Sequence, residues 1–192
     1  MRNRHTARTD VLLVEHVGHP EKQIPPTSCC VYFPGIATAG VTGTSYLAYY
    51  SLISGKQGIW LQRLSQTGAA GGPVRLPGSE TGGHVPTVQQ RVGITGRGHG
   101  RAGVYAVYAN GYPFQRAVDL LRVGSTKPTV LATFGALTGV GGDTVTAGPN
   151  GRLWATWFLG DGSLPALFVR ASAVNGQNCG SSAYFATQVP LP

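Results

Sequence analysis

The stretch 148-GPNGRLWATWF-158 places an Asn-Gly turn directly before a run carrying Trp154, Trp157 and Phe158. Asn-Gly accommodates the positive φ angles of a hairpin turn, and the residues after it are strand formers. A single turn of this kind is commonplace, so its weight depends on whether the frame recurs. It recurs twice. Residues 42–64 (TGTSYLAYY…GIWLQRL), 100–123 (GRAGVYAVYANG…AVDLLRV) and 149–172 (PNGRLWATWFLGDG…ALFVRAS) share it. The aromatic after each turn is Tyr46, Tyr105 or Trp154, and a second follows three residues later at Tyr49, Tyr108 or Trp157. An arginine then stands 17, 17 and 16 residues beyond the first aromatic, at Arg63, Arg122 and Arg170.

Each frame is flanked by further short apolar segments. Upstream lie PGIATA (34–39), RVGITG (91–96) and DTVTAG (143–148). Downstream lie GPVRLPGS (72–79), PTVLATFG (128–135) and, less clearly, SSAYFATQV (181–189). Four short antiparallel strands per repeat is the pattern of a β-propeller blade. The expected fold is therefore all-β, with four-stranded blades near 34–79, 91–135 and 143–189. Three to four blades make a partial ring, or one completed by an oligomer. Residues 31–192 form the propeller-like domain, and 1–30 an N-terminal tail in which VLLVEHVG (11–18) reads as a remnant of a preceding blade. A β-sandwich is the alternative architecture. In the propeller the small residues Gly35, Ala37, Gly93 and Ala147 suit the innermost strands, and the aromatics fill the wedge between blades.

Composition agrees with short strands joined by turns. The 192 residues include 29 glycines and 13 prolines, and 42% are hydrophobic. The net charge of +8 comes from 15 basic and 7 acidic residues, with the basic ones scattered apart from the loose MRNRHTAR at the start. No nucleic-acid-binding motif is present, so the charge expresses a basic surface rather than a recognisable nucleic-acid module. No apolar run reaches membrane-spanning length. VLLVEHV (11–17) carries Glu15 and His16 and is too short for a signal sequence, so the chain reads as soluble without an export signal. Cys29, Cys30 and Cys179 have no metal-ligand spacing. One of the adjacent pair could bridge to Cys179, or all three could be free thiols. The five histidines (5, 16, 19, 84 and 99) also lack ligand spacing, and neither a metal nor a cofactor is expected. There is no phosphate-cradling loop and no nucleophile elbow. GRGHGRAG (96–103) reads as a hairpin loop.

The motif AGPNGRLWATWF followed by LFVRASAVNG resembles a blade of the sialidase-like propellers built from bacterial-neuraminidase-type repeats, over roughly residues 31–189. That family's Asp-box reads Ser-x-Asp-x-Gly-x-x-Trp. Aligned on Gly151 and Trp154, this chain has Ala147 and Pro149 at the Ser and Asp positions, so its boxes are degenerate. The resemblance implies propeller architecture, carbohydrate binding and a secreted setting. Family catalysis uses three arginines on the substrate carboxylate, a Tyr nucleophile assisted by Glu, and an Asp acid/base. None of the seven acidic residues here matches those positions.

In a propeller, the loops leaving the fourth strand and those between the second and third share one rim. Here that rim gathers Lys56, Glu80, His84, Arg91, Tyr112, Arg116, Asp143 and Asp161. They form a mixed cluster with guanidinium groups for a carboxylate and a candidate acid. Arg63, Arg122 and Arg170 recur with the repeat and read as structural. The expected function is a non-catalytic binding or scaffold module that presents this rim to a glycan or a protein, with self-association closing the ring. The alternative is an exo-sialidase-like glycoside hydrolase completed by missing blades or by self-association. A basic module for anionic polymers is a third reading.

Overall fold

The computed structural model describes residues 2–6, 9–14, 18, 20–23, 31–40, 42–51, 53, 55–65, 68–79, 92–98, 102–110, 117–134, 139–160 and 166–172. Among these the chain is all-β, with fifteen strands and one 3-10 turn. The first sheet is β1 (Arg2–Thr6), β2 (Thr9–Val14) and β3 (Lys22–Gln23), so the segment read as tail and blade remnant contains paired strands. The second comprises β4 (Val31–Thr38), β5 (Ser45–Ser51), β6 (Gly58–Ser65), and the short β7 (Gly68–Ala69) and β8 (Val74–Arg75), which both pair with β6. The third is β9 (Gly93–Arg97), β10 (Gly103–Asn110), β11 (Ala117–Arg122) and β12 (Thr129–Thr133). The fourth is β13 (Gly139–Ala147), β14 (Leu153–Gly160) and β15 (Ala166–Ala171). All pairings are antiparallel, and all but β6–β8 link neighbours in the chain. Among the described residues the strands thus divide into four successive sheets. The segment SSAYFATQV lies outside the described residues.

The Asn-Gly turn of 148-GPNGRLWATWF-158 is a 3-10 turn over Pro149–Gly151, with Gly151 at φ 70°. Gly151 occupies the left-handed region, where a Cβ would be strained. The Gly148 N–H donates to the Arg152 carbonyl at 2.8 Å and closes the loop between β13 and β14. The second sheet closes its corresponding turn in a similar way, with Ala39 N–H on the Thr44 carbonyl at 2.9 Å and Gly43 at φ 64°.

Strand alternation sends each aromatic pair to opposite faces, because residues three apart have opposite parity. On β10, Tyr105, Val107 and Ala109 join Val145, Leu153, Ala155 and Trp157 in a core between the third and fourth sheets. Ala106 and Tyr108 join Ala48, Tyr50, Ile59 and Leu61 in a core between the second and third. Leu47 and Tyr49 occupy the other face of the second sheet with Leu64 and Trp60. On β10 the two aromatics therefore enter the cores on either side, whereas on β14 Trp157 is in the core and Trp154 is exposed.

The edge strands β4, β9 and β13 lie beside one another, and glycines permit it. A Cβ on Gly96 would collide with the Thr38 carbonyl oxygen, and one on Gly93 would lie 2.6 Å from the Thr144 Cα. A Cβ on Gly35 would press on the Ile94 side chain at 3.0 Å. Gly35 and Gly93, two of the four small residues read from the sequence as innermost, are thus points of close approach between sheets.

Candidate functional site

Two of the eight rim candidates are described. Arg91, Arg116, Tyr112, Asp161, Glu80 and His84 lie outside the described residues. Lys56 and Asp143 are not brought together: Lys56 belongs to the β5–β6 connection of the second sheet and Asp143 to β13 of the fourth, with the third sheet between them.

Lys56 is exposed, and its backbone holds a turn. Its N–H donates to the Ile53 carbonyl at 2.8 Å, and its own carbonyl accepts from the Trp60 indole Nε1–H at 2.8 Å. Its surroundings are a small hollow of about 160 Å³ lined with Tyr49, Ser51, Ile53, Trp60 and Pro73. Burial pushes the Tyr49 hydroxyl up to about 12, so it stays protonated at neutral pH.

Asp143 sits where the β13–β14 register breaks between Gly141 and Thr144. It is 2% exposed. Burial pushes its carboxyl up to about 7, and a hydrogen bond from the Ala109 backbone N–H partly offsets that rise. The offset follows from the charge: an anionic carboxylate accepts more strongly than a neutral acid. One of the three carboxyls expected on the rim is therefore poised near neutrality, inside the contact between the third and fourth sheets.

A second buried acid lies nearby on the chain's middle strands. Asp119 on β11 pairs in register with Tyr108 on β10, and both face the second sheet. The Asn110 side-chain amide donates to Asp119 Oδ2 at 2.6 Å, and the Tyr108 hydroxyl donates to the Pro77 carbonyl at 2.8 Å. Burial raises the Asp119 carboxyl, and the Asn110 amide pulls it back. Burial and then the Asp119 charge raise the Tyr108 hydroxyl far above its ordinary value. The turn at residues 77–79 fits closely over this group, since a Cβ on Gly78 would collide with the Asn110 amide. Its sequence signal is an aspartate inside the apolar run AVDLLRV, a pattern that marks a buried carboxyl with a partner.

The recurring arginines separate into two behaviours. Arg63 lies opposite Tyr46 and Arg122 opposite Tyr105. Trp154 instead lies opposite Ala171, and Arg170 opposite Ala155. The one-residue difference in spacing sends Arg170 to the other face of its sheet. There its guanidinium donates to the Leu131 carbonyl of the third sheet, whereas Arg122 donates to the Ala102 carbonyl at 2.7 Å. Arg63 faces a cleft of about 580 Å³ between the second and third sheets, lined also by Leu61, Val74, Leu76, Leu121 and Val123. Sequence reasoning classed Arg63 as structural and missed the cleft.

Among the described residues no group of three or more His, Cys, Asp or Glu could hold a metal ion, and no helix is long and apolar enough to cross a membrane. No family model, curated protein or solved structure matches the chain.

Proposed function

We propose that the chain is a propeller-type module of sialidase-like descent that binds a glycan or a protein without catalysis. The observation that carries this reading is the stacking of successive antiparallel sheets. The second, third and fourth share cores in turn, and their edge strands β4, β9 and β13 approach through glycines. Stacked sheets of this kind present the ends of their strands, and the loops there, as one continuous rim. Asp119 is buried and hydrogen-bonded to Asn110, which suits a structural role for it.

The fourth sheet keeps apolar surface exposed on one face. On the outer face of β14, Trp154 is 38% and Phe158 40% exposed, while Leu153, Ala155 and Trp157 on the other face are buried. A second copy covering these aromatics would extend the arc of sheets. Light scattering on a size-exclusion column is expected to give twice the chain mass of 20.0 kDa, returning to 20.0 kDa in a Trp154→Glu/Phe158→Glu double variant. A wild-type monomer would remove self-association from the account.

Glycoside hydrolysis is the second reading, and Asp143 favours it. A carboxyl titrating at about 7 suits a general acid at neutral pH. A fluorogenic sialoside distinguishes the two. The binding reading expects no turnover above buffer, whereas turnover lost in Asp143→Asn would establish catalysis.

A further inference from the structure

The cleft between the second and third sheets is a built feature, and its walls have identifiable causes. On one side, the chain leaves the edge of β6 after Ala70, whose N–H still donates to the Arg63 carbonyl at 2.9 Å. It rejoins β6 only at Val74, opposite Leu61. The fully buried Gln62, pointing to the opposite face from Arg63, pins this excursion. Its Nε2 lies 2.8, 3.3 and 3.1 Å from the carbonyls of Arg63, Ala70 and Gly71. On the other side, the end of β11 and the turn after it complete the cleft. Gly124 there has φ 92°, and the Ser125 N–H donates to the Arg122 carbonyl at 2.9 Å.

The lining is apolar with two cations at its edge. Leu61, Leu76 and Leu121 form its floor, and Val74, 65% exposed, stands at its mouth. Among the described residues Arg63 and Arg75 are the charged groups of its lining. Arg75 lies over the Trp60 ring at 5.8 Å. Arg63 is exposed, beside Tyr46 on the neighbouring strand, and has no salt bridge among the described residues. A volume of about 580 Å³ falls within the range of small-molecule sites, in which apolar walls give affinity and a few polar groups set orientation. A guanidinium at the edge of such walls selects an anion, and selects a planar carboxylate best.

We propose that this cleft binds a small anionic amphiphile, its carboxylate on Arg63 and its aliphatic body against Leu61, Leu76 and Leu121. This site is separate from the rim, so it stands whether or not the rim binds a glycan.

The test is calorimetric titration of the full chain with decanoate and with its uncharged counterpart decanamide. Decanoate is expected to bind saturably with one site per chain, and decanamide at least tenfold more weakly. Arg63→Gln should abolish that preference, and Arg63→Lys should retain part of it. Val74→Glu, which adds an anion at the mouth, should weaken decanoate at least tenfold. Circular dichroism of each variant checks that the fold is retained, and amide shifts on titration should centre on Leu121 and Val123. Absence of saturable binding to the wild-type chain would overturn the proposal. So would an unchanged decanoate affinity in folded Arg63→Gln, or shifts centred instead on Trp154 and Phe158.

Discussion

At the scale of the residue, Asp143 concentrates the tension between folding and charge. Its carboxyl titrates at about 7 in the fold, against 3.8 for an ordinary aspartate. Below pH about 4 the side chain is protonated folded or unfolded, and it leaves stability unaffected. Between pH about 4 and 7 the folded chain holds a proton that the unfolded chain releases, so stability falls as pH rises. The loss is complete above pH about 7 and is on the order of 4 kcal/mol at most. Asp119, also raised by burial, acts in the same direction. Asp143→Asn keeps an acceptor for the Ala109 N–H and removes the ionisation. The variant is expected to melt higher than wild type at pH 8 and close to it at pH 4.5, measured by circular dichroism across that range. An equal shift at both pH values would show that the carboxyl is not buried as described.

At the scale of the element, β14 shows how much a strand's alternation decides. Trp157 is 2% exposed in the core between the third and fourth sheets, and Trp154, three residues earlier, is 38% exposed on the opposite face. Removing a buried tryptophan costs about 3–5 kcal/mol, while a surface substitution usually stays within about 0.5 kcal/mol. At concentrations where the chain is monomeric, Trp157→Ala should therefore lower the urea midpoint strongly and Trp154→Ala hardly at all. Comparable losses from both would mean that the outer face of β14 is covered within the chain. The strands β5, β10 and β14 were legible in the sequence because a turn signal, an aromatic and a second aromatic recur at fixed spacing. The orientation of Arg170 was less legible. Offsets of 17, 17 and 16 look equivalent along the chain, yet a period of two makes a single residue reverse a face.

At the scale of the whole molecule, the sequence reading and the structure meet in the small residues of the edge strands. Gly35 and Gly93 were expected on strands that approach one another, and their positions meet Ile94 and Thr144 of adjacent sheets. Gly96 was not singled out, although it makes the tightest approach, because a lone glycine in a strand does not announce which backbone comes near it. The cleft was illegible for a related reason. Its walls join Ala70–Val74 with the turn after Arg122, segments far apart in the chain that meet only when two sheets stack. Of the predicted rim, the description reaches only Lys56 and Asp143, which stand two sheets apart.

The central claim is that successive sheets stack face to face with their edge strands in contact through glycine. Nuclear Overhauser spectroscopy on the isotope-labelled chain tests it most directly. The account predicts cross-peaks from the Gly93 Hα protons to the Thr144 Hα, and from the Gly35 Hα protons to the Ile94 Cγ2 methyl. Cross-peaks within the third sheet, between Gly93 and its partner Val107, would appear alongside them as the internal standard. If the Gly93–Val107 peaks were present and both inter-sheet sets missing, the sheets would exist but would not stack in this order, and the propeller-type account would be wrong.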